Sequence, residues 1–417
     1  MKFHKASSLK GTITVPGDKS ISHRAVMLGS LAKGKTEIHN FLFGADCFST
    51  IECFQKMGIK IDTVNSATDI IIIEGNGLHG LKAPSSFLDV GNSGTTLRLL
   101  SGILSAQKFD VEITGDGSIQ RRPMQRIMDP LSLMGADITS VMDNNCAPLR
   151  IHGKQLKGIE YQSPFASAQV KSSILLAGLF ADGKTSVIES SPSRNHSELM
   201  IDYFGGEIYL EGNKITVCPE PTLKGQRVMI PGDLSSAAYF IAAALIVPDS
   251  EIILRYVGTN PTRAGILEVV KQMGGNIELL NEGFDGEPFA DILVRSSKLH
   301  GIEISGEIIP RLIDELPIIA VIAAFAEGQT VIKDATELKV KESDRIETVV
   351  DNLSSMGADI TATSDGMIIN GGRPLHGAVL GSRLDHRIAM SFAVAGLGAS
   401  GTTEIIGSEC VKISYPG

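Results

Sequence analysis

L-K-G-T-I-T-V-P-G-D-K-S-I-S-H-R, residues 9–24, opens on a phrase that the chain repeats. Leucine, then lysine or histidine, then glycine stands at residues 9–11, 78–80, 156–158, 223–225, 299–301 and 375–377. So short a phrase can recur by chance, but its spacings of 69, 78, 67, 76 and 76 residues are nearly regular, and other features return in phase with it. Each phrase is followed by an apolar helical stretch behind small or acidic residues able to cap it. These starts are D-K-S-I-S-H-R-A from Asp18, N-S-G-T-T-L-R-L-L from Asn92, S-A-Q-V-K-S-S-I-L-L from Ser167, D-L-S-S-A-A-Y-F from Asp233, D-E-L-P-I-I-A from Asp314 and D-H-R-I-A-M-S-F from Asp385. Most lead through a glycine turn into a β-rich run, as in G-K-T-E-I from Gly34, G-K-T-S-V-I from Gly183, G-Q-T-V-I from Gly328 and G-T-T-E-I-I from Gly401.

Five units continue into a second helix that ends in Met or Phe, then Gly, then an apolar strand: K-M-G-I-K-I, L-M-G-A-D-I, Y-F-G-G-E-I, Q-M-G-G-N-I and S-M-G-A-D-I. Glycine there suits a left-handed helix end. In residues 342–356, Ile346, Val349, Val350, Leu353 and Met356 fall on one helical stripe with charge on the other face. Six units of roughly 70 residues, each mixing helices with strands, predict an α+β (mixed α/β) architecture with internal pseudo-symmetry. The sixth unit stops before its second helix, which predicts that the N-terminal strand completes the last module. Both chain ends then belong to one domain, residues 1–17 plus 232–417, and residues 18–231 form the other, with a hinge at the crossings near Gly17 and Pro231.

The 417 residues carry a net charge of −9, with 43% hydrophobic and 20% charged residues and no Trp, so no global basic field draws nucleic acid or an anionic membrane. Any anion must be captured by a local cluster. Five cysteines, at 47, 53, 146, 218 and 410, are odd in number and spread without a C-x-x-C, indicating neither a disulfide framework nor a metal site. The start M-K-F-H-K-A-S-S-L-K-G lacks the apolar stretch of a signal peptide, and the run at residues 316–325 is too short to span a bilayer. The expectation is a cytoplasmic protein.

Helix N-termini carry unpaired N–H groups and partial positive charge. Side chains add to this: Lys19, Ser20 and Arg24 at the first start, Gly94 and Arg98 at the second, Ser167 and Gln169 at the third, Asp314 at the fifth, Arg387 at the sixth. Between the starts lie Arg121-Arg122-Pro123, Ser193-Arg194 and K-V-K-E-S-D-R, residues 339–345; the fourth start carries no cation. Taken singly, a loop Lys or Arg is a solvated charge, and His23 or His386 beside a helix start is a cap or packing residue. Their clustering at equivalent phases of a repeat argues for a shared anion site.

These motifs, P-G-D-K-S-I-S-H-R, G-N-S-G-T-T-L-R, R-R-P-M after T-G-D, S-A-Q, K-V-K-E-S-D-R-I and D-H-R-I-A-M, resemble the 3-phosphoshikimate 1-carboxyvinyltransferase family, also called 5-enolpyruvylshikimate-3-phosphate synthase, over essentially the whole chain. The resemblance implies a two-domain inside-out α/β barrel, the enolpyruvyl transferase fold, built from six β-α-β-α-β-β repeats with the active site in an interdomain cleft that closes on substrate. It implies transfer of the enolpyruvyl group of phosphoenolpyruvate to the 5-hydroxyl of 3-phosphoshikimate, with no metal or organic cofactor. Glyphosate is the implied inhibitor and a monomer the implied state. By the same resemblance Lys19, Ser20, Arg24, Ser167, Gln169, Arg194, Asp314 and Lys341 contact 3-phosphoshikimate. Lys19, Gly94, Arg122, Gln169, Arg345, Arg387 and Lys412 contact phosphoenolpyruvate. Asp314 is the base, with Lys19 and Glu342 as proton donors or relays. Relatives often carry S-S-Q where this chain has Ser167-Ala168-Gln169, so one hydroxyl contact is absent and Arg194 is the candidate to compensate. The sister family acting on UDP-N-acetylglucosamine uses a loop cysteine, and the loop R-R-P-M-Q-R here has none. A non-catalytic anion-binding module would keep the cations but has no use for Lys19, Asp314 and Glu342 together.

Overall fold

A computed structural model describes residues 1–65, 70–413 and 415. The chain divides into two compact units. One holds Met1–Pro16, Pro231–Phe284 and Pro288–Gly417, and is termed here the terminal unit; the central unit is Gly17–Ile230 with Asp285–Glu287. In chain order the central unit's helices are α1 (Lys19–Leu31), α2 (Ala45–Lys56), α3 (Gly94–Ser105), α4 (Gln125–Leu133), α5 (Ala168–Gly178) and α6 (His196–Tyr203). Those of the terminal unit are α7 (Leu234–Ile246), α8 (Gly265–Gln272), α9 (Ile309–Leu312), α10 (Leu316–Phe325), α11 (Arg345–Ser355) and α12 (His386–Gly398).

The described residues form five four-stranded sheets and one three-stranded sheet. The third module shows the plan. Glu160–Gln162 runs parallel to Thr185–Ile188, which pairs antiparallel with Lys214–Val217, itself antiparallel to Ile208–Glu211; α5 and α6 fill the two connections. This is the expected β-α-β-α-β-β unit. Every Leu-x-Gly phrase introduces the outer strand of a parallel pair, and in all but the first its glycine is there for contact. A Cβ on Gly158, Gly225, Gly301 or Gly377 would come 2.1–2.4 Å from a backbone carbonyl oxygen of the segment beside it, where no side chain fits. Five of the six phrase leucines, Leu78, Leu156, Leu223, Leu299 and Leu375, are buried.

Two of these strands join sheets far away in sequence. Lys10–Thr14, which begins within the first phrase, pairs parallel with Glu251–Gly258, and Arg227–Met229, after the fourth, pairs parallel with Lys33–His39. Each unit is thus closed by a strand from the other end of its own stretch of chain. The three-stranded sheet is completed by Lys2–His4, antiparallel to Thr402–Ile406, as the truncated sixth unit predicted.

Each unit has its own apolar core. In the terminal unit α7, α10 and α12 pack on one another; α10 is buried from Leu316 to Ala324, which is why its sequence is apolar on every side. In the central unit α3 lies against α5 so closely that a Cβ on Gly102 would stand 2.2 Å from the Ser173 carbonyl oxygen. The second helices are amphipathic and outer: α11 buries Ile346, Val349 and Leu353, with Met356 buried at its end. The glycine after Met57, Met134, Phe204, Met273 and Met356 has φ between 85° and 90° in all five cases, the left-handed conformation that ends the helix. No described helix is long and apolar enough to cross a membrane, and all five cysteines are free thiols.

Candidate functional site

In the central unit the first turns of three buried helices carry the polar residues. Asp18 caps α1, accepting from the Ile21 N–H at 3.0 Å. Just beyond it, Lys19 Nζ lies 3.2 Å from Asp46 Oδ2. One turn later Arg24 is buried: its Nε donates to Ser197 Oγ at 2.7 Å, Nη2 to Ser172 Oγ at 2.8 Å and Nη1 to the Ser20 carbonyl at 2.9 Å. Burial lowers this guanidinium to about 10, against the pull of Glu198, Asp18 and Glu287, so it remains a cation at neutral pH. His23, beside it, is fully enclosed and bonded through Nδ1 to Thr50 Oγ1 at 2.7 Å. Burial pushes its imidazole down to about 3, which makes it a neutral packing residue at physiological pH.

At the second helix start Ser93 caps α3, leaving Gly94 as the first helical residue. A Cβ on Gly94 would stand 2.9 Å from Arg98 Nη1 and 3.2 Å from Arg122 Nη1, so two guanidiniums flank this glycine. Arg98 Nη1 donates to Gln169 Oε1 at 2.8 Å. Arg122 Nη2 donates to Asn92 Oδ1 at 3.1 Å and Ser118 Oγ at 3.3 Å. Asn92 in turn donates to Asp116 at 2.8 Å. Burial works to raise the Asp116 carboxyl, but the Ile119 N–H, the Asn92 amide and the Ser118 N–H together hold it below the usual range. Ser167 caps α5, two residues before Gln169. Arg194 lies in the turn before α6, close enough to Arg24 for their charges to repel. Gly94, Arg122 and Gln169 therefore meet around Arg98, which the sequence placed at a helix start without assigning it a substrate contact.

In the terminal unit Glu315 occupies the N-cap position of α10 without a side-chain cap hydrogen bond, and its Oε1 lies 3.5 Å from Arg387 Nη1. Asp314 stands outside the helix: its Oδ1 lies 3.4 Å from Arg345 Nη1, its Oδ2 3.8 Å from Arg387 Nη2, and its carbonyl accepts from Arg387 Nη1 at 3.2 Å. Arg345, only 1% exposed, also pairs with Asp385 Oδ2 at 2.8 Å and Glu342 Oε2 at 2.7 Å. Burial disfavours the charge on Arg345 and Arg387, yet the surrounding carboxylates more than offset it. Asp385, Glu342 and Asp314 hold Arg345 above the ordinary guanidinium value, and Asp314, the Tyr239 hydroxyl and Glu315 do the same for Arg387. Burial likewise works to raise Glu342, but Arg345 overcomes it and holds this carboxyl at about 2. Glu342 is thus a carboxylate at neutral pH, ready to take a proton before it can give one. Lys341 pairs with Glu337 at 2.7 Å. Lys412 is exposed in the segment Ser408–Ile413 and is not joined to the Asp314 set within the described contacts.

The fourth helix start receives its cation from elsewhere. Arg263, buried in the loop before α8, donates to Asp233 Oδ1 at 3.1 Å and Ser235 Oγ at 2.6 Å, and Ser235 Oγ donates to Glu315. Arg263 stands 30 residues beyond the cap it serves, so no local pattern at G-D-L-S-S signals it. The described residues include no group of His, Cys, Asp and Glu able to hold a metal ion.

Three comparisons bear on this arrangement. A family model described as EPSP synthase (3-phosphoshikimate 1-carboxyvinyltransferase) matches residues 3–417. A 3-phosphoshikimate 1-carboxyvinyltransferase of Thermoanaerobacter sp. (strain X514) is 57% identical over 417 residues, covering 100% of this chain and 97% of the relative. The enzyme of that name from Brevibacillus brevis is 54% identical over 418 residues, with coverage of 100% and 97%. Among solved structures, EPSP synthase from Acinetobacter baumannii superposes with a TM-score of 0.92 at 48% identity, covering 100% of this chain and 95% of the other. The chain belongs to the EPSP synthase (3-phosphoshikimate 1-carboxyvinyltransferase) family.

Proposed function

We propose that the chain transfers the enolpyruvyl group of phosphoenolpyruvate to the 5-hydroxyl of 3-phosphoshikimate, releasing phosphate, as a step toward the aromatic amino acids. Family membership supports the reaction, and one observation supports the assignment of its base: the Asp314 carboxylate lies between the guanidiniums of Arg345 and Arg387. Both substrates carry a phosphate and a carboxylate, and bringing four anionic groups together requires fixed cations. In this reading Arg24, Ser20, Ser167, Gln169, Arg194 and Lys341 hold 3-phosphoshikimate. Arg122, Arg345, Arg387 and Lys412 hold phosphoenolpyruvate, with Lys19 and Gln169 serving both, and Gly94 leaves room for it.

The chemistry is addition followed by elimination. The 5-hydroxyl oxygen bonds to C2 of phosphoenolpyruvate as its proton passes to Asp314, and a proton is added to the methylene carbon, giving a tetrahedral intermediate. Loss of a proton from the new methyl group and departure of phosphate restore the double bond. Lys19 is the donor to the methylene carbon. Glu342, already ionised, acts as a relay that accepts a proton in the elimination half. Glyphosate, an anion of phosphoenolpyruvate's size with a carboxylate and a phosphonate, competes at the phosphoenolpyruvate position, and the protein works as a cytoplasmic monomer.

The test is phosphate release from phosphoenolpyruvate, measured with and without 3-phosphoshikimate, in wild type and Asp314→Ala. Release that depends on the shikimate ester and falls by about 100-fold or more in the variant is the expected result. Release independent of the ester would overturn the reaction, and near-normal turnover in the variant would overturn the base.

A further inference from the structure

We infer that Lys171 is a positioning residue, an internal counter-ion that keeps Arg24 available to the substrate's anionic groups. The inference rests on the proposed function, in which Arg24 contacts 3-phosphoshikimate. It begins from two cations buried side by side and bonded to opposite kinds of partner. Lys171, 2% exposed on α5, places its ammonium 2.8 Å from Glu189 Oε2, 2.6 Å from Glu198 Oε1 and 3.3 Å from the Ser193 carbonyl. Among the described residues Arg24 bonds only to neutral acceptors: two serine hydroxyls and a carbonyl.

The two sets interlock along the same pair of helices. Ser172, which holds Arg24, follows Lys171 on α5, and Ser197, which also holds Arg24, precedes Glu198 on α6. The two hydroxyls bond each other at 2.6 Å. Glu198 is thus near enough to attract Arg24, and does so, but its Oε1 is taken by Lys171. A guanidinium held by hydroxyls keeps its charge for an incoming anion, whereas one paired with a carboxylate is already neutralised. A compact ammonium with three donors fits three acceptors converging from the end of a strand, the turn after it and α6. The same ammonium steadies the turn that carries Arg194, because Glu189 also accepts the Ser193 N–H at 3.3 Å.

Removing Lys171 leaves the buried Glu189 and the half-buried Glu198 without this cation, and Arg24, which Glu198 already attracts, is drawn toward that carboxylate. Lys171→Met should therefore weaken 3-phosphoshikimate binding, measured calorimetrically in the full chain, by about 30-fold. Phosphoenolpyruvate KM should change by less than about threefold. Adding Glu198→Gln removes the carboxylate that captures Arg24, and should return the 3-phosphoshikimate Kd to within about threefold of wild type. A merely structural lysine gives the opposite pattern, since a second change in its network adds damage. Glu198→Gln alone, which tests the same competition should Lys171→Met not fold, is expected to leave the Kd equal to or below that of wild type. A Lys171→Met Kd within twofold of wild type, no recovery in the double variant, or a rise of more than about threefold in Glu198→Gln would each overturn the inference. Wild type that fails to bind 3-phosphoshikimate would instead overturn the functional reading, and this inference with it.

Discussion

Asp385 does two jobs that substitution can separate. Its Oδ1 caps α12, accepting from the Arg387 N–H at 2.9 Å, and its Oδ2 pairs with Arg345 Nε at 2.8 Å; the side chain is fully buried. Asp385→Asn keeps a cap, since Asn is as good a capping residue as Asp, but presents a neutral amide to a buried guanidinium. Breaking a buried ion pair costs about 3–5 kcal/mol, and the lower end applies here because Arg345 retains Glu342 and Asp314. In a unit of about 200 residues, about 3 kcal/mol lowers the melting temperature by about 6–12 °C. Asp385→Ala loses the cap as well, about 1 kcal/mol more, for about 8–16 °C in total. Calorimetric melting of wild type and both variants measures this. An Asp385→Asn protein melting within about 2 °C of wild type would refute the argument that Arg345 depends on this carboxylate.

Two further perturbations follow from the same coordinates. Glu342 is held at about 2 against an ordinary 4.5, so its folded value lies below its unfolded one. Its contribution is present above 4.5 and drains away as pH falls through about 2. The difference in urea midpoint between wild type and Glu342→Gln should therefore shrink from pH 5.5 downward, and a difference that stays constant would contradict the assignment. Gly94→Ala puts a methyl 2.9 Å from Arg98 Nη1 and 3.2 Å from Arg122 Nη1, and should raise the phosphoenolpyruvate KM about tenfold or more while 3-phosphoshikimate KM changes little. Equal KM values in variant and wild type would place the ligand elsewhere.

What was legible in the sequence was what depends on local contacts. The Leu-x-Gly phrase repeats because in all but the first its leucine is buried and its glycine abuts neighbouring backbone, and Met-Gly repeats because a buried Met ends the helix and a left-handed residue must follow. Both demands act within a few residues, so they leave a readable mark. Strand exchange at the chain crossings leaves none. Lys10–Thr14 and Arg227–Met229 look alike in sequence, and only tertiary pairing sends each to the sheet of a distant module. The same holds for side chains that act at a distance. Arg263 reaches the cap of α7 from a loop, and Arg98 joins Gly94 to Gln169 across two helices. The choice between Asp314 and Glu315 was likewise invisible locally, because adjacent carboxylates at a helix start differ only in where the first turn begins. Here Glu315 accepts from Ser235 and lies 3.5 Å from Arg387 Nη1, whereas Asp314 lies against both Arg345 and Arg387.

The central claim is that these cations bring two anionic substrates together so that one gains a carbon unit from the other. Carbon-13 NMR of a reaction containing phosphoenolpyruvate labelled at its second carbon tests it most directly. The account predicts that label appears in an enol ether of 3-phosphoshikimate in step with free phosphate. Label recovered in free pyruvate, or phosphate released without any bond to the shikimate ester, would contradict it.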